Sequence, residues 1–347
     1  MLRLEPFAFA KPGSVDETVA LLAKHGRGAK LIAGGTDVMP NLKHGLYEPD
    51  VVIGLSDVAE LRGVAIESGG EHDGTLVIGA MTTLEEVESH PLVVARAPGL
   101  AQAARAVAGP TQRAMGTLGG NVCLDTRCVW INQTHFWRKA LGYCLKKDGT
   151  VCHVVQGGKS CVAAASNDTA TMLCALGATL ELKSVRGPRT VPIKEFYKPD
   201  GVMNQRLEPD ELLTRIRVPA PRLPPASGVG GDSGTTWSGY AKLRARNSID
   251  FPKLSIAVAY TTAATGLIDD ATIVVSAIAA VPRVIAGVAD QARGGRADDP
   301  ALIARLGEHA RKVTVPLTNI DGDTGWRRAM VPVFVKRAFA AARAAQA

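Results

Sequence analysis

Aromatic residues make up only 5% of the 347 positions, and no run of eighteen apolar residues occurs among them. A membrane-spanning helix is therefore not expected. The apolar share of 46% is ordinary for a soluble protein and argues against disorder as well. The opening MLRLEPFAFAKPGS has no long apolar stretch ending in small residues, so no signal peptide is expected. Cytoplasm is the default location, unless a partner bearing a signal carries the chain across a membrane. The net charge of +7 contains no polybasic run, whereas nucleic-acid binding needs a clustered footprint. A general positive field suits an acidic redox partner or an anionic cofactor better. The G-x-G-x-x-G that opens a helix in a nicotinamide-binding unit is also missing.

What is present begins with a helix signal. Ser14 stands as an N-cap before Asp16 and Glu17, and Val15, Val19, Leu21 and Leu22 give an apolar face. A short strand, Lys30 to Ala33, then runs into Gly34, Gly35, Thr36 and Asp37. Adjacent glycines permit positive φ and bring backbone N–H groups close to a bulky anion, a nest suited to pyrophosphate. By the same conformational freedom such a turn can be purely structural. Strands are expected near Val51 and Leu76, and a small-residue helix from Ala101 to Val107. A second Gly-Gly turn follows at Thr117, Leu118, Gly119, Gly120 and Asn121. Two such turns fit a dinucleotide, which has two phosphates and a long arm to hold.

Further along, Ser166 is read as an N-cap and Asp168 as a first-turn residue of a helix through Cys174. A strand from Thr179 to Lys183 comes next. The stretch APRLPPASGVGGDSGTT reads as a linker. Beyond it, Lys242, Arg244 and Arg246 alternate on one strand face that is either solvated or meets an anion. The strands LSIAVAY and ATIVVSAIAAV and a closing helix from Trp326 complete an α+β domain.

Five of the six cysteines fall between Gly119 and Asp168. Cys128, Cys144, Cys152 and Cys161 are separated by fifteen, seven and eight residues, with Cys123 five positions earlier. So long a loop needs something other than its own core to offset its ordering entropy. Disulfides, structural zinc, an iron–sulfur cluster and unrelated buried thiols are the alternatives. A large chain without a secretion signal disfavours the first. All-cysteine zinc sites pair their ligands more tightly than this, while a cluster tolerates wide spacing. Trp130, Phe136, Trp137 and Tyr143 would shield a cluster from water; Arg127, Arg138, Lys139, Lys146, Lys147 and Lys159 would offset its charge.

AGGTDVMPNLK, IGAMTTL, AGPTQRAMGTLGGN, SNDTATMLCALGA and YAKLRARNSIDFP together resemble the FAD-binding medium subunit of the molybdenum hydroxylases, the xanthine dehydrogenase family. The insertion, through LDTRC, NQ, YCLK and CHV, is most similar to that of 4-hydroxybenzoyl-CoA reductase beta subunits; a periplasmic aldehyde oxidoreductase branch has a comparable insertion in different surroundings. The resemblance implies an α+β chain. A two-subdomain FAD-binding domain of the PCMH (vanillyl-alcohol oxidase-like) type would span 1–222, dividing near 56, with a [4Fe–4S] insertion about 122–165. A linker over 223–236 and a C-terminal domain of the CO dehydrogenase flavoprotein type over 237–347 would follow. The loop Leu31, Ile32, Ala33, Gly34, Gly35, Thr36, Asp37 and Val38 would wrap the FAD pyrophosphate, and Thr117 to Asn121 would approach it from the second subdomain. Thr111 and Asp168 would hold the ribityl arm or neighbouring groups, and Lys242 would lie near the flavin ring. Cys128, Cys144, Cys152 and Cys161 would carry the [4Fe–4S] cluster, with Cys123 left out.

No catalytic acid, base or nucleophile is implied in this chain. It would relay electrons among its cluster, its FAD, the [2Fe–2S] centres of a small subunit and the molybdopterin of a large subunit, in a dimer of heterotrimers. An acidic ferredoxin is a fitting external partner. Two other readings stand beside this one within flavin chemistry: a subunit of an oxidative aldehyde or N-heterocycle dehydrogenase, and a stand-alone flavin oxidase with a zinc-stapled loop. A scaffold that has lost cofactor binding is the third.

Overall fold

The computed structural model describes residues 4–222 and 234–345. Three sheets carry the chain. The first is parallel, in the order β1 (Ala8–Ala10), β3 (Val51–Gly54), β2 (Ala29–Ile32). Parallel neighbours need a crossover, and the helix Val15–His25 makes the one from β1 to β2. It starts where the sequence indicates: the Ser14 hydroxyl accepts from the Glu17 amide at 3.1 Å, and Val15, Val19 and Leu22 turn inward.

The second sheet has the order β4 (Val64–Ile66), β5 (Leu76–Gly79), β8 (Leu212–Val218), β6 (Thr179–Ser184), β7 (Gly187–Pro192), all antiparallel. In β6, Leu180, Leu182 and Ser184 are buried and the residues between are half-exposed, the period-two pattern of a sheet with one covered face.

The third sheet, β12 (Arg283–Val284), β11 (Ile268–Ser276), β10 (Leu254–Thr262), β9 (Thr235–Leu243), is antiparallel too. Both its faces are covered. Tyr240, Ala257 and Val274 pack into the core of the second sheet's domain beside Leu100 and Met172, whereas Ile256, Val258, Ile273 and Val275 pack against Val331, Phe334 and Phe339. The Gln102 side chain pins this layer: its amide donates to the Ala341 carbonyl (3.1 Å) and its oxygen accepts from the Tyr240 amide (3.0 Å).

Several local expectations are corrected. The small-residue helix spans Pro98–Arg105, set back by Pro98 at its first turn. The helix at Asp168–Ala175 is preceded by Asn167, which makes no side-chain cap bond, and Ser166 is not its cap. The closing helix is two, Thr324–Ala329 and Val331–Ala344, with Pro332 in the first turn of the second. Of the expected linker, 223–233 lies outside the described residues, and β9 already begins at Thr235. β9 ends at Leu243, so of the three alternating cations only Lys242 belongs to the strand.

Candidate functional site

A cavity of about 740 Å³ opens where the three sheets meet. β2 feeds its first wall. Leu31, Ala33, Gly34, Gly35, Thr36, Asp37 and Val38 line it, while Ile32 does not. Gly35 has φ +72°, a conformation that favours glycine. Gly34 lacks a positive φ, but a methyl group there would collide with the Met115 carbonyl. One glycine thus provides the turn and its neighbour the close approach of the second subdomain. Among the described residues the amides of Gly34, Gly35 and Thr36 donate to no protein group. Donors left open in this way at the head of the short helix Val38–Lys43 fit an anionic ligand.

The second Gly-Gly pair is built differently. Leu118–Val122 is a short helix capped by the Thr117 hydroxyl, which accepts from the Gly120 amide at 3.1 Å. The Leu118 and Gly119 amides donate to Thr82 and Ala80 carbonyls at 2.9 and 2.8 Å. This segment is therefore not a turn, neither glycine has positive φ, and its amides are already engaged. Thr117, Gly119, Gly120 and Asn121 still line the cavity, as a smooth wall rather than an anion nest, while Leu118 is buried in the core. Gly119 is required by contact, because a Cβ there would stand 2.7 Å from that of Ala80.

Asp168 and Lys242, 74 residues apart, meet at the far end with Nζ to Oδ2 at 2.9 Å, both nearly fully buried. Lys242 also donates to the Ala106 carbonyl at 2.9 Å. The Tyr240 hydroxyl donates to Asp168 at 2.5 Å and lies 2.8 Å from Ser255 Oγ. Burial pushes the Asp168 carboxyl above its usual range, against the pull of Lys242 and the Tyr240 hydrogen bond. The solvated-face reading of Lys242 is thus overturned. Thr111 is exposed and outside the wall, where its neighbour Gln112 stands instead.

Sequence reasoning missed several lining residues. Ser166 is buried against the cavity and its hydroxyl has no partner among the described residues. Arg127 forms an ion pair with Asp37 and lies over the Phe251 ring at 4.7 Å, joining the first subdomain, the cysteine segment and the C-terminal domain at the cavity wall. Lys30, Tyr47, Cys123 and Asp125 line it as well. Burial raises the Cys123 thiol to about 12, so it is a protonated wall group.

Behind this wall lies the cysteine segment, held by few regular elements: one helix, His135–Ala140, and isolated bridges of Arg127 with Ala164 and of Cys144 with Lys147 and Asp148. Cys128, Ile131 and Ala163 form its small core, with Trp130, Cys144, Val154 and Cys161 packed on it. All six cysteines are free. Burial pushes Cys128 to about 11; the Trp130 amide opposes this, and Cys161, Cys144 and Cys152 add to it. The four thiols therefore share one neighbourhood. Amides of Val155 and Ala163 donate to Cys152 and Cys161 Sγ at 3.4 and 3.5 Å. Among the described residues, however, no group of three or more His, Cys, Asp or Glu side chains is arranged to hold a metal ion.

The shielding expected of the aromatics is corrected. Trp130 packs against His153 at a 36° tilt with centroids 5.0 Å apart, but Phe136 and Trp137 are 79% and 53% exposed. The cations are mostly engaged elsewhere. Arg138 donates to the His44 carbonyl at 2.5 Å, and Lys147 pairs with Glu48 and Asp148. Lys146 acts on a thiol, drawing Cys161 down against its burial.

Residues 5–221 match the FAD binding domain in molybdopterin dehydrogenase, and 239–342 the CO dehydrogenase flavoprotein C-terminal domain. The carbon monoxide dehydrogenase medium chain of Hydrogenophaga pseudoflava is 30% identical over 342 residues, covering 97% of this chain and 96% of the relative. The putative xanthine dehydrogenase FAD-binding subunit of Escherichia coli is 30% identical over 212 residues, 61% of this chain and 57% of its own. Among solved structures, carbon monoxide dehydrogenase from Hydrogenophaga pseudoflava lacking the Mo-pyranopterin moiety superposes with TM-score 0.76 at 28% identity, covering 99% of each chain. Among the described residues no helix is long and apolar enough to cross a membrane. An FAD-binding domain whose cavity offers open amides at one end and a buried lysine at the other, joined to the matching C-terminal domain, makes this chain a member of the FAD-binding medium subunits of the molybdenum hydroxylase family.

Proposed function

We propose that the chain is an electron-transfer subunit holding FAD in the 740 Å³ cavity and a [4Fe–4S] cluster on Cys128, Cys144, Cys152 and Cys161. The complex it serves is most like 4-hydroxybenzoyl-CoA reductase, which removes a phenolic hydroxyl from an aromatic CoA thioester. One observation carries the reading: the segment 201–205 packs on Cys161 through Gly201, whose amide donates to the Cys161 carbonyl at 2.9 Å, and lines the cavity through Val202, Met203, Asn204 and Gln205. A single layer of residues thus separates Cys161 from the cavity.

Bound FAD and the cluster supply the electron-carrying chemistry. The chain's own residues bind, orient and exclude water. The amides of Gly34, Gly35 and Thr36 receive the pyrophosphate. Asp168 fixes the Lys242 ammonium at the other end, and the unpartnered Ser166 hydroxyl offers a further donor there. In the cysteine segment, backbone amides of Val155 and Ala163 are directed at the sulfurs of Cys152 and Cys161, and donors aimed at sulfur are what a thiolate-held cluster would draw on. A zinc ion would need four sulfurs around one atom, an arrangement that the described residues do not make; the larger cube of a cluster spreads its ligands wider.

A small [2Fe–2S] subunit and a large molybdopterin subunit, in a dimer of heterotrimers, complete the relay, and an acidic ferredoxin is the external donor. The names of the relatives support a second reading, a subunit of an oxidative dehydrogenase, since they include a nicotinate dehydrogenase FAD-subunit and carbon monoxide dehydrogenase medium chains. Affinity isolation of the tagged chain from its native source, with mass analysis and assay of the complex on an aromatic CoA thioester, tests both. Reductive dehydroxylation supports the first; turnover only of aldehydes or N-heterocycles supports the second. A monomer that oxidises substrate alone overturns the relay.

A further inference from the structure

Lys30 poses a problem the flavin cavity does not solve by itself. Its side chain lines the cavity, and desolvation holds its ammonium below the usual lysine range. It makes no ion pair among the described residues; Nζ stands 3.9 Å from the Tyr47 ring centroid, and the Asp125 carboxylate acts on it from farther away. An aromatic face returns to a cation far less than removing an ammonium from water costs. The Asp125 carboxylate opposes this desolvation without cancelling it, which leaves a place for negative charge arriving from outside the protein.

The surrounding bonds show where that charge enters. The Tyr47 hydroxyl donates to Asp125 Oδ2 at 3.0 Å. The other oxygen of Asp125 accepts from Lys146 Nζ at 2.8 Å, and Lys146 also donates to Thr126 Oγ1 and the Gly201 carbonyl at 2.7 and 2.6 Å. Gly201 packs on Cys161. A line of groups therefore runs from the cavity to the cysteines: Lys30, Tyr47, Asp125, Lys146. It contains two cations and one carboxylate.

We infer that Lys30, Asp125 and Lys146 form a charge bridge of net positive sign that stabilises added electrons on both sides and sets how the flavin and the cluster share them. The inference rests on the function proposed above. Each one-electron reduction adds one negative charge to the group that accepts it. Lys146, beside Cys161, acts chiefly on the cluster; Lys30, in the cavity wall, acts chiefly on the flavin. Asp125 moderates both. A unit charge roughly 10 Å from one centre, in a medium of effective dielectric near 20, shifts that centre's reduction equilibrium by about ten- to twentyfold, and the sharing constant moves by the difference between its effects on the two centres.

The test is an anaerobic potentiometric titration of the full chain with dithionite and mediators, following flavin by absorbance and the cluster by EPR. Lys146→Met should lower the cluster potential more than the flavin's, and Lys30→Met the flavin's more than the cluster's. Asp125→Asn should raise both. Lys30→Arg should stay near the wild type, and Tyr47→Phe, which removes a hydrogen bond but no charge, should move either potential less than the charge variants do. Opposite signs for the lysine and aspartate variants would not arise from a purely structural role. Potentials unmoved, or lowered alike by Lys30→Met and Asp125→Asn, overturn the bridge. If Asp125→Asn does not fold, the contrast between Lys30→Met and Lys30→Arg decides. If the wild type holds flavin without iron, the cluster assignment fails, and the flavin potential alone still decides whether Lys30 and Asp125 act as proposed.

Discussion

Two regions meet at the 201–205 segment and are held in different ways. The cavity wall is fixed by packing: β5, β8, β9 and the helices Pro98–Arg105 and Asp168–Ala175 bury Leu76, Leu100, Met172 and Ile216 completely around it. The cysteine segment has one helix of six residues and a core of three buried side chains. A wall built on a packed core exists before its ligand arrives, whereas a long loop with so little core depends on what its side chains bind.

The largest break in that contrast comes from the cysteines. Cys144→Ser or Cys152→Ser should abolish the EPR signal of the reduced protein and speed hydrogen exchange across residues 123–165, while most of the flavin stays bound. Cys123→Ser should spare the signal. A normal signal in the Cys144 variant would remove that residue from the ligand set.

Gly35→Val acts on the other region. A β-branched residue at φ +72° stores roughly 1–3 kcal/mol of strain, enough to weaken flavin binding about tenfold or more. Flavin retention after dialysis checks this, and full retention would mean that the turn is only structural.

Whether the segment's core is the weaker of the two is a question of stability. Leu100→Ala should destabilise global unfolding by about 2–5 kcal/mol in a denaturant titration. Ile131→Ala, also buried, should leave the global midpoint nearly unchanged and loosen only the insertion, seen by limited proteolysis. Equal midpoint shifts would make the two regions one cooperative unit.

Gly120→Ala is the smallest change. Its φ is not positive, and a Cβ there meets only Thr117 Oγ1 at 3.0 Å. Flavin content should stay within about twofold of the wild type, since the helical gain of roughly 0.5–1 kcal/mol offsets the crowding. Loss of flavin comparable to that of Gly35→Val would restore an anion-nest role to the second pair.

What was legible in the sequence is what local chemistry determines. The Ser14 cap, the strand before Gly34 and the alternation in β6 follow from residues a few positions apart. The two Gly-Gly pairs looked equivalent because what separates them is distant: Thr82 and Ala80 take the Leu118 and Gly119 amides, and among the described residues nothing takes those of Gly34 and Gly35. Asp168 could be seen as a first-turn carboxylate, but its ion pair joins positions 74 apart. The Arg127–Asp37 pair and the placement of Lys30 depend on three subdomains meeting, which no periodicity encodes. Phe136 and Trp137 misled for the opposite reason: aromatic composition suggested shielding, and a short surface helix turns both rings outward.

The central claim is that one chain holds both a flavin and a cluster. Anaerobic isolation followed by visible spectroscopy and analysis for iron, sulfide and zinc tests it most directly. The account predicts flavin bands over a broad visible absorption, with about four iron and four sulfide per chain. Flavin with zinc and no iron, or a colourless protein, would contradict it.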